Sequence, residues 1–166
     1  MRKLLCILMI CFFAVELPLY AGLGGDKSLY VGGTAPVAKE TEGVLSADDT
    51  KVLTFKPDKG DATKNGLSIP YEKVTSLEYG QHAGRRVGAT VALGVTTLGI
   101  GALPMLFSKK RRHYLTVAYK DEQGSEQAAV FEVGKNQIRT LLKSLEVRSG
   151  KKVDYEDEEA RKAGNK

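Results

Sequence analysis

The residues with the most chemical reach are few. His82 and His113 are the only histidines, and Cys6 and Cys11 the only cysteines. A zinc site needs three or four such groups in close spacing. Neither histidine has a cysteine nearby or a helix-spaced histidine partner, and both cysteines lie in one apolar run. No metal ligand and no cofactor is therefore expected. Acid–base chemistry needs a carboxyl whose pKa an apolar pocket has raised. Asp48-Asp49 stand instead in a turn, and the acids from Asp154 to Glu159 in a polar stretch where water solvates them. Ser28, Ser46, Ser68 and Ser125 lack the strand–turn–helix elbow that exposes a nucleophile. No glycine loop ends in Lys-Ser or Lys-Thr to cradle phosphate. The expectation is a protein that is not an enzyme and has no catalytic residues.

What the sequence does concentrate is an uncharged run between basic clusters. Val87 to Phe107 carries no charge, while Arg85-Arg86 precede it and Lys109-Lys110-Arg111-Arg112 follow it. At about 1.5 Å rise per residue the run is long enough to cross a bilayer. Its nine Val, Leu, Ile and Phe residues contribute about −3 to −5 kcal/mol on an insertion scale, opposed by four glycines, three threonines and Pro104. Insertion is marginal, which suits a chain that must first pass through a translocon. The expected membrane contacts are Val87, Val91, Leu93, Leu98, Ile100, Leu103, Leu106 and Phe107, with Arg85, Arg86, Lys109, Lys110, Arg111 and Arg112 as interfacial anchors. Such cations gain about 1 kcal/mol each near anionic lipid. Gly84, Gly88, Ala92 and Thr96 recur at four-residue spacing and would form a ridge of small side chains for close helix packing. The competing expectation is a buried soluble helix pair filled by the same glycines and alanines. The basic patch is too short for nucleic acid on an exported chain, so no nucleic-acid partner is expected.

Export is read from residues 1–21. Met1-Arg2-Lys3 is followed by the apolar run Leu4 to Val15, then by Pro18 and the small residue Ala21. This is the order of a secretory signal peptide. Leu19 is a poor fit three positions before the cleavage point, so an uncleaved anchor stands as the alternative. Cys6 and Cys11 follow Leu5 and Ile10, not the small residue that precedes a lipidated cysteine. The location expected is periplasmic or cell envelope, membrane-associated. The net charge of +5 falls by only one without this segment, so the excess is a local property of the basic flanks.

The elements around the run are mainly β. Residues 22–39, GLGGDKSLYVGGTAPVAK, are rich in glycine and read as a linker with room for at most one short strand, since only Leu29, Tyr30 and Val31 can pack. Val44-Leu45, a turn at Ser46 to Asp49, and Lys51 to Lys56 form a hairpin with Leu53 and Phe55 inward. Asn65-Gly66 turns into Leu67 to Tyr71, where Pro70 cannot donate to a ladder and marks an edge or an end. Val74 to Tyr79 resumes a strand. His113 to Tyr119 and Gln127 to Val133 flank a polar turn and make the clearest hairpin. Ile138, Leu141, Leu142 and Leu145 then form the stripe of an amphipathic helix that Gly150 stops. Residues 151–166 carry dense mixed charge and read as a disordered tail.

Gly43-Val44-Leu45, Val52 to Phe55, Ile69-Pro70-Tyr71 with Val74, Tyr114 to Val117, and Val130 to Val133 with the closing helix together resemble the pleckstrin-homology-like superfamily in its bacterial and GRAM-type forms. The resemblance spans most of residues 40–150. It implies α+β architecture: a small antiparallel barrel or bent sheet closed by the C-terminal helix, used for lipid or protein binding. The first turn, Ser46 to Asp49, is acidic where lipid-binding members gather cations, so phosphoinositide recognition is not implied. Residues 84–112 interrupt the domain as an inserted apolar helix or helical hairpin. If the strands on either side share one barrel, both ends of the insert return to the same side of a bilayer. Two functions follow: a binding module held on membrane lipid and open to a protein partner, or a structural membrane protein that self-associates through its small-residue ridge.

Overall fold

The computed structural model describes residues 27–60, 66–81 and 112–165. They form one mixed eight-stranded sheet and two helices, a mainly β protein. The strands are β1 (Lys27–Gly33), β2 (Thr41–Ser46), β3 (Val52–Pro57), β4 (Leu67–Pro70), β5 (Val74–Gly80), β6 (His113–Lys120), β7 (Glu126–Val133) and β8 (Val153–Tyr155). The helices are α1 (Lys135–Ser149) and α2 (Glu158–Asn165). In space the order is β4-β3-β2-β1-β7-β6-β5-β8. All neighbours are antiparallel except β5 and β8. A single 3-10 turn, Tyr71–Lys73, joins β4 to β5, so the strand at one edge leads directly to the far side of the sheet.

Inward residues follow the alternation read from the sequence. Leu53 and Phe55 of β3 are buried, as are Leu77 and Tyr79 of β5 and Leu115 and Val117 of β6. Phe55, Tyr30 and Phe131 meet in a tilted and edge-on cluster with centroids 5.4 to 6.1 Å apart, spacing that favours aromatic pairs. The predicted stripe of α1, Ile138, Leu141, Leu142 and Leu145, is buried in the same core. Each such side chain is worth up to about 1.5–3 kcal/mol relative to exposure. Gly150 ends α1 in the left-handed conformation, φ 67°, and its N–H donates to the Glu146 carbonyl. Pro70 closes the edge strand β4, where its missing N–H costs no ladder bond.

Two stretches go further than the sequence expectation. The one short strand allowed within residues 22–39 is β1, Lys27–Gly33, and it lies in the middle of the sheet between β2 and β7 rather than in a linker. Ser28, Tyr30 and Val31 are buried there, and pairing on both sides outweighs the backbone freedom of the flanking glycines. The expected disordered tail is also built into the fold. Val153 and Ala160 are buried, the Val153 N–H donates to Glu146 Oε1 at 2.9 Å, and β8 extends the sheet beside β5. A side chain at Gly164 would collide with the ring of Tyr155 and with Leu142, so α2 approaches α1 closely on small residues.

Candidate functional site

The two ends of the apolar segment are set side by side by strand pairing. β5 and β6 are antiparallel neighbours with Gly80 opposite Tyr114 and Tyr79 opposite Leu115. Gln81, the last residue described before the segment, therefore lies across from His113, and Arg112 is the first residue described after it.

Side chains clasp this sheet end. The His113 ring stacks on Tyr79 with centroids 5.9 Å apart and planes 9° from parallel, and Nδ1 meets the Tyr79 hydroxyl. Burial pushes the Tyr79 phenol up to about 12. Burial, then the charges of Lys135 and Arg139, holds the His113 imidazole below its ordinary value. The phenol stays protonated and the imidazole neutral, and the ring tautomer sets which of the two donates. Tyr155 of β8 packs edge-on against Tyr79, 6.0 Å between centroids. Gln81 N–H donates to Glu156 Oε2 at 3.1 Å, and Glu156 N–H donates to the Tyr79 carbonyl at 2.9 Å. Arg112 Nη1 donates to Glu132 Oε2 at 2.7 Å. That pair is partly exposed and contributes about 1 kcal/mol or less.

Arg112 is thus the one expected membrane anchor that falls among the described residues, and it bridges β6 to β7 through Glu132. Arg85, Arg86, Lys109, Lys110 and Arg111, the apolar contacts from Val87 to Phe107, and the ridge Gly84, Gly88, Ala92 and Thr96 lie outside them. So does His82. Among the described residues no helix is long and apolar enough to cross a membrane, and no group of three or more His, Cys, Asp or Glu is placed to hold a metal ion.

The acids seen in the sequence act on the backbone. Asp49 Oδ1 accepts the N–H of Lys51 and of Val52, and those bonds hold its carboxyl below the usual carboxylate range. Asp121 accepts from Gln123 N, Ser125 N and Gln127 Nε2, which closes the β6–β7 turn. Both are turn-forming carboxylates rather than paired acid and base.

Neither Tyr79, the partner of His113, nor Tyr155, which packs on Tyr79, was singled out by the sequence. Tyr79 is distant along the chain, and Tyr155 lies in a stretch whose only local signals are charges. The alternation ending at Tyr79 and beginning at His113 was the one usable sign. No family model, no curated protein and no solved structure matches the chain.

Proposed function

We propose that this chain is an exported, non-enzymatic binding module of the cell envelope. In this reading its pleckstrin-homology-like barrel docks on a membrane through residues 84–112. The order β4-β3-β2-β1-β7-β6-β5, with α1 following β7 and covering the core, supports that barrel. The observation that carries the function is the β5–β6 register, Gly80 opposite Tyr114. It makes the uncharged, basic-flanked run leave and re-enter the sheet at one place. Both basic clusters then lie on the same side of a bilayer, and the run enters as a bent helix or hairpin rather than as a single span. Membrane lipid is the partner this arrangement serves, and a protein partner would meet the rest of the domain.

Vesicle pelleting of the full chain tests the reading. Binding to anionic vesicles should fall as salt rises. Replacing Arg85, Arg86, Lys109, Lys110 and Arg111 by glutamine should weaken it by about fivefold per charge, from about 1 kcal/mol each. Binding that ignores these charges would count against the docking role. For the topology, single cysteines at Lys73 and Glu126 should label equally with an impermeant maleimide on spheroplasts. Protection of one alone would reveal a full span. A cytosolic product on fractionation would remove export.

A further inference from the structure

Without the residues that follow Gly150, β5 would be an edge of the sheet, and β8 is what covers it. β8 lies along the side of β5 away from β6, with Val153 opposite Leu77 and Tyr155 opposite Tyr79. It is three residues long and runs parallel to its neighbour, whereas the other pairs are antiparallel. Two walls receive β8 and α2: the free side of β5 and the flank of α1. The Val153 N–H donates to Glu146 Oε1 of α1, the Glu156 N–H donates to the Tyr79 carbonyl, and Glu156 Oε2 accepts the Gln81 N–H. The walls leave room for these groups. A side chain on Gly80 would strike the Glu156 carboxylate, and the methyl end of Leu142 leaves space for Gly164 and nothing larger.

The walls have their own supports. β5 is paired with β6 from Val74 to Gly80, and α1 sets Ile138, Leu141 and Leu145 in the core. What lies between them is held by less. Its buried groups are small, Val153, Ala160 and Gly164, and Tyr155 is only half-buried against Tyr79. The junction to α1 is Gly150, whose N–H already donates within that helix, followed by the exposed Lys151 and Lys152. Swinging at this junction breaks no bond of α1. A segment at a sheet edge with few buried apolar groups opens at lower free energy than the core it lies on. Opening bares the β5 backbone, and an unpaired strand edge is a template for another strand.

We infer that the groove between β5 and α1 is a peptide-binding surface, and that residues 153–165 are its resident strap, displaced when an extended segment of another protein adds to β5. Main-chain hydrogen bonds hold such a segment, and its alternate side chains set the choice. β8 shows the chemistry that fits: an apolar residue in the place of Val153, a tyrosine in the place of Tyr155 to meet the Tyr79 ring, and an acid next to it to accept the Gln81 N–H. The inference rests on the binding-module reading and deepens it by naming where a protein partner meets the domain.

The test uses the full chain with Cys6 and Cys11 replaced by serine, and a fluorescein-labelled peptide of residues 151–165 read by anisotropy without lipid. Glu78→Cys with Asp154→Cys puts thiols at paired positions of β5 and β8, within the reach of a disulfide. Oxidation locks the strap down, and reduction frees it in the same protein. Peptide affinity should fall at least about tenfold on oxidation, because apparent affinity scales with the open fraction. In the unlocked chain, Val153→Asp with Ala160→Asp should raise it about tenfold or more by the same scaling. A peptide carrying Val153→Lys and Tyr155→Ala should not bind. Equal binding to the oxidised and reduced chains, or none to the reduced chain at millimolar peptide, overturns the inference even if the double-aspartate chain fails to fold. Oxidation that links two copies instead of closing one chain would assign the groove to a second copy's tail and overturn the foreign partner. Since no lipid is present, failure here leaves membrane docking standing, and failure to pellet with vesicles leaves this groove standing.

Discussion

Arg148 offers the sharpest test of how the helix is held over the sheet. Its Nη1 donates to the Asp49 carbonyl at 2.6 Å and to the Tyr71 hydroxyl at 3.3 Å, and its guanidinium lies 5.7 Å from the Tyr71 ring centre. One side chain at the end of α1 thus ties the β2–β3 turn to the 3-10 turn between β4 and β5. A hydrogen bond from a charged donor is worth about 1.5–3 kcal/mol, and a half-exposed cation over an aromatic ring about 0.5–1. The Asp49 contact is solvent-exposed, so screening discounts the sum, and Arg148→Ala should cost about 1.5 kcal/mol. For a chain of this length that is about 3–6 °C in Tm. Arg148→Lys should cost about half, since an ammonium keeps the charge and loses the planar fork. Urea denaturation with Tyr71→Phe as the second arm of a double-mutant cycle measures the pair. Arg148 also opposes the upward push that burial gives the Tyr71 phenol, so Arg148→Ala should raise that phenol further in an ultraviolet titration. A loss below about 0.3 kcal/mol with no coupling to Tyr71 would refute the clamp.

Three further outcomes are open to measurement. Ala160 is fully buried, so Ala160→Asp should cost about 2 kcal/mol or more and release α2, seen as lost hydrogen-exchange protection over residues 153–165; no protection there in the unsubstituted chain would return those residues to a disordered tail, and protection that survives the substitution would refute the burial of Ala160. His113 is held below its ordinary 6.5 in the folded chain, so the unfolded chain binds protons first on acidification. Its contribution to stability is complete above about 6.5 and is lost as pH falls through the folded value. His113→Phe, which keeps a ring on Tyr79, should flatten that part of the stability profile; an unchanged profile would show that His113 does not titrate with unfolding. Gly88→Leu with Ala92→Leu should leave the size of the assembly unchanged if the chain is a docking module; a shift to a smaller species would favour self-assembly through the ridge.

The sequence spoke clearly wherever burial imprints a period. Leu53 and Phe55 and the four aliphatic residues of α1 carry alternation or a helical stripe strong enough to assign element and face together, while β6, buried at every position from Leu115 to Tyr119, shows its element but not its face. It was silent where an element is held by partners distant along the chain. β1 has few large residues between glycine pairs, and only pairing with β2 and β7 makes it the middle of the sheet. β8 is three residues long, too short for any period. α2 buries Ala160 and Gly164, small residues that local hydropathy cannot separate from a solvated surface. The site divides in the same way. The basic-flanked run was plain from composition, while the clasp of Tyr79, His113 and Tyr155 needs β5, β6 and β8 to be brought together first.

That clasp answers a physical problem set by residues 82–111. A tight hairpin between β5 and β6 would need about two residues. Lengthening the connection to residues 82–111 is about four doublings of loop length, and at about 0.6 kcal/mol per doubling closure becomes harder by roughly 2.4 kcal/mol. The strand ends nearest such a connection should fray first, because the loop no longer holds them in register. Here they are held from elsewhere: Tyr79 by His113 and by Tyr155 of β8, Gln81 by Glu156, and Arg112 by Glu132 of β7. At about 1 kcal/mol for a net hydrogen bond or aromatic pair, these contacts are of the size of the closure cost. Three of the four hold from outside the β5–β6 pair. The register at Gly80 and Tyr114 is therefore kept by β7 and β8 as well as by the β5–β6 ladder itself.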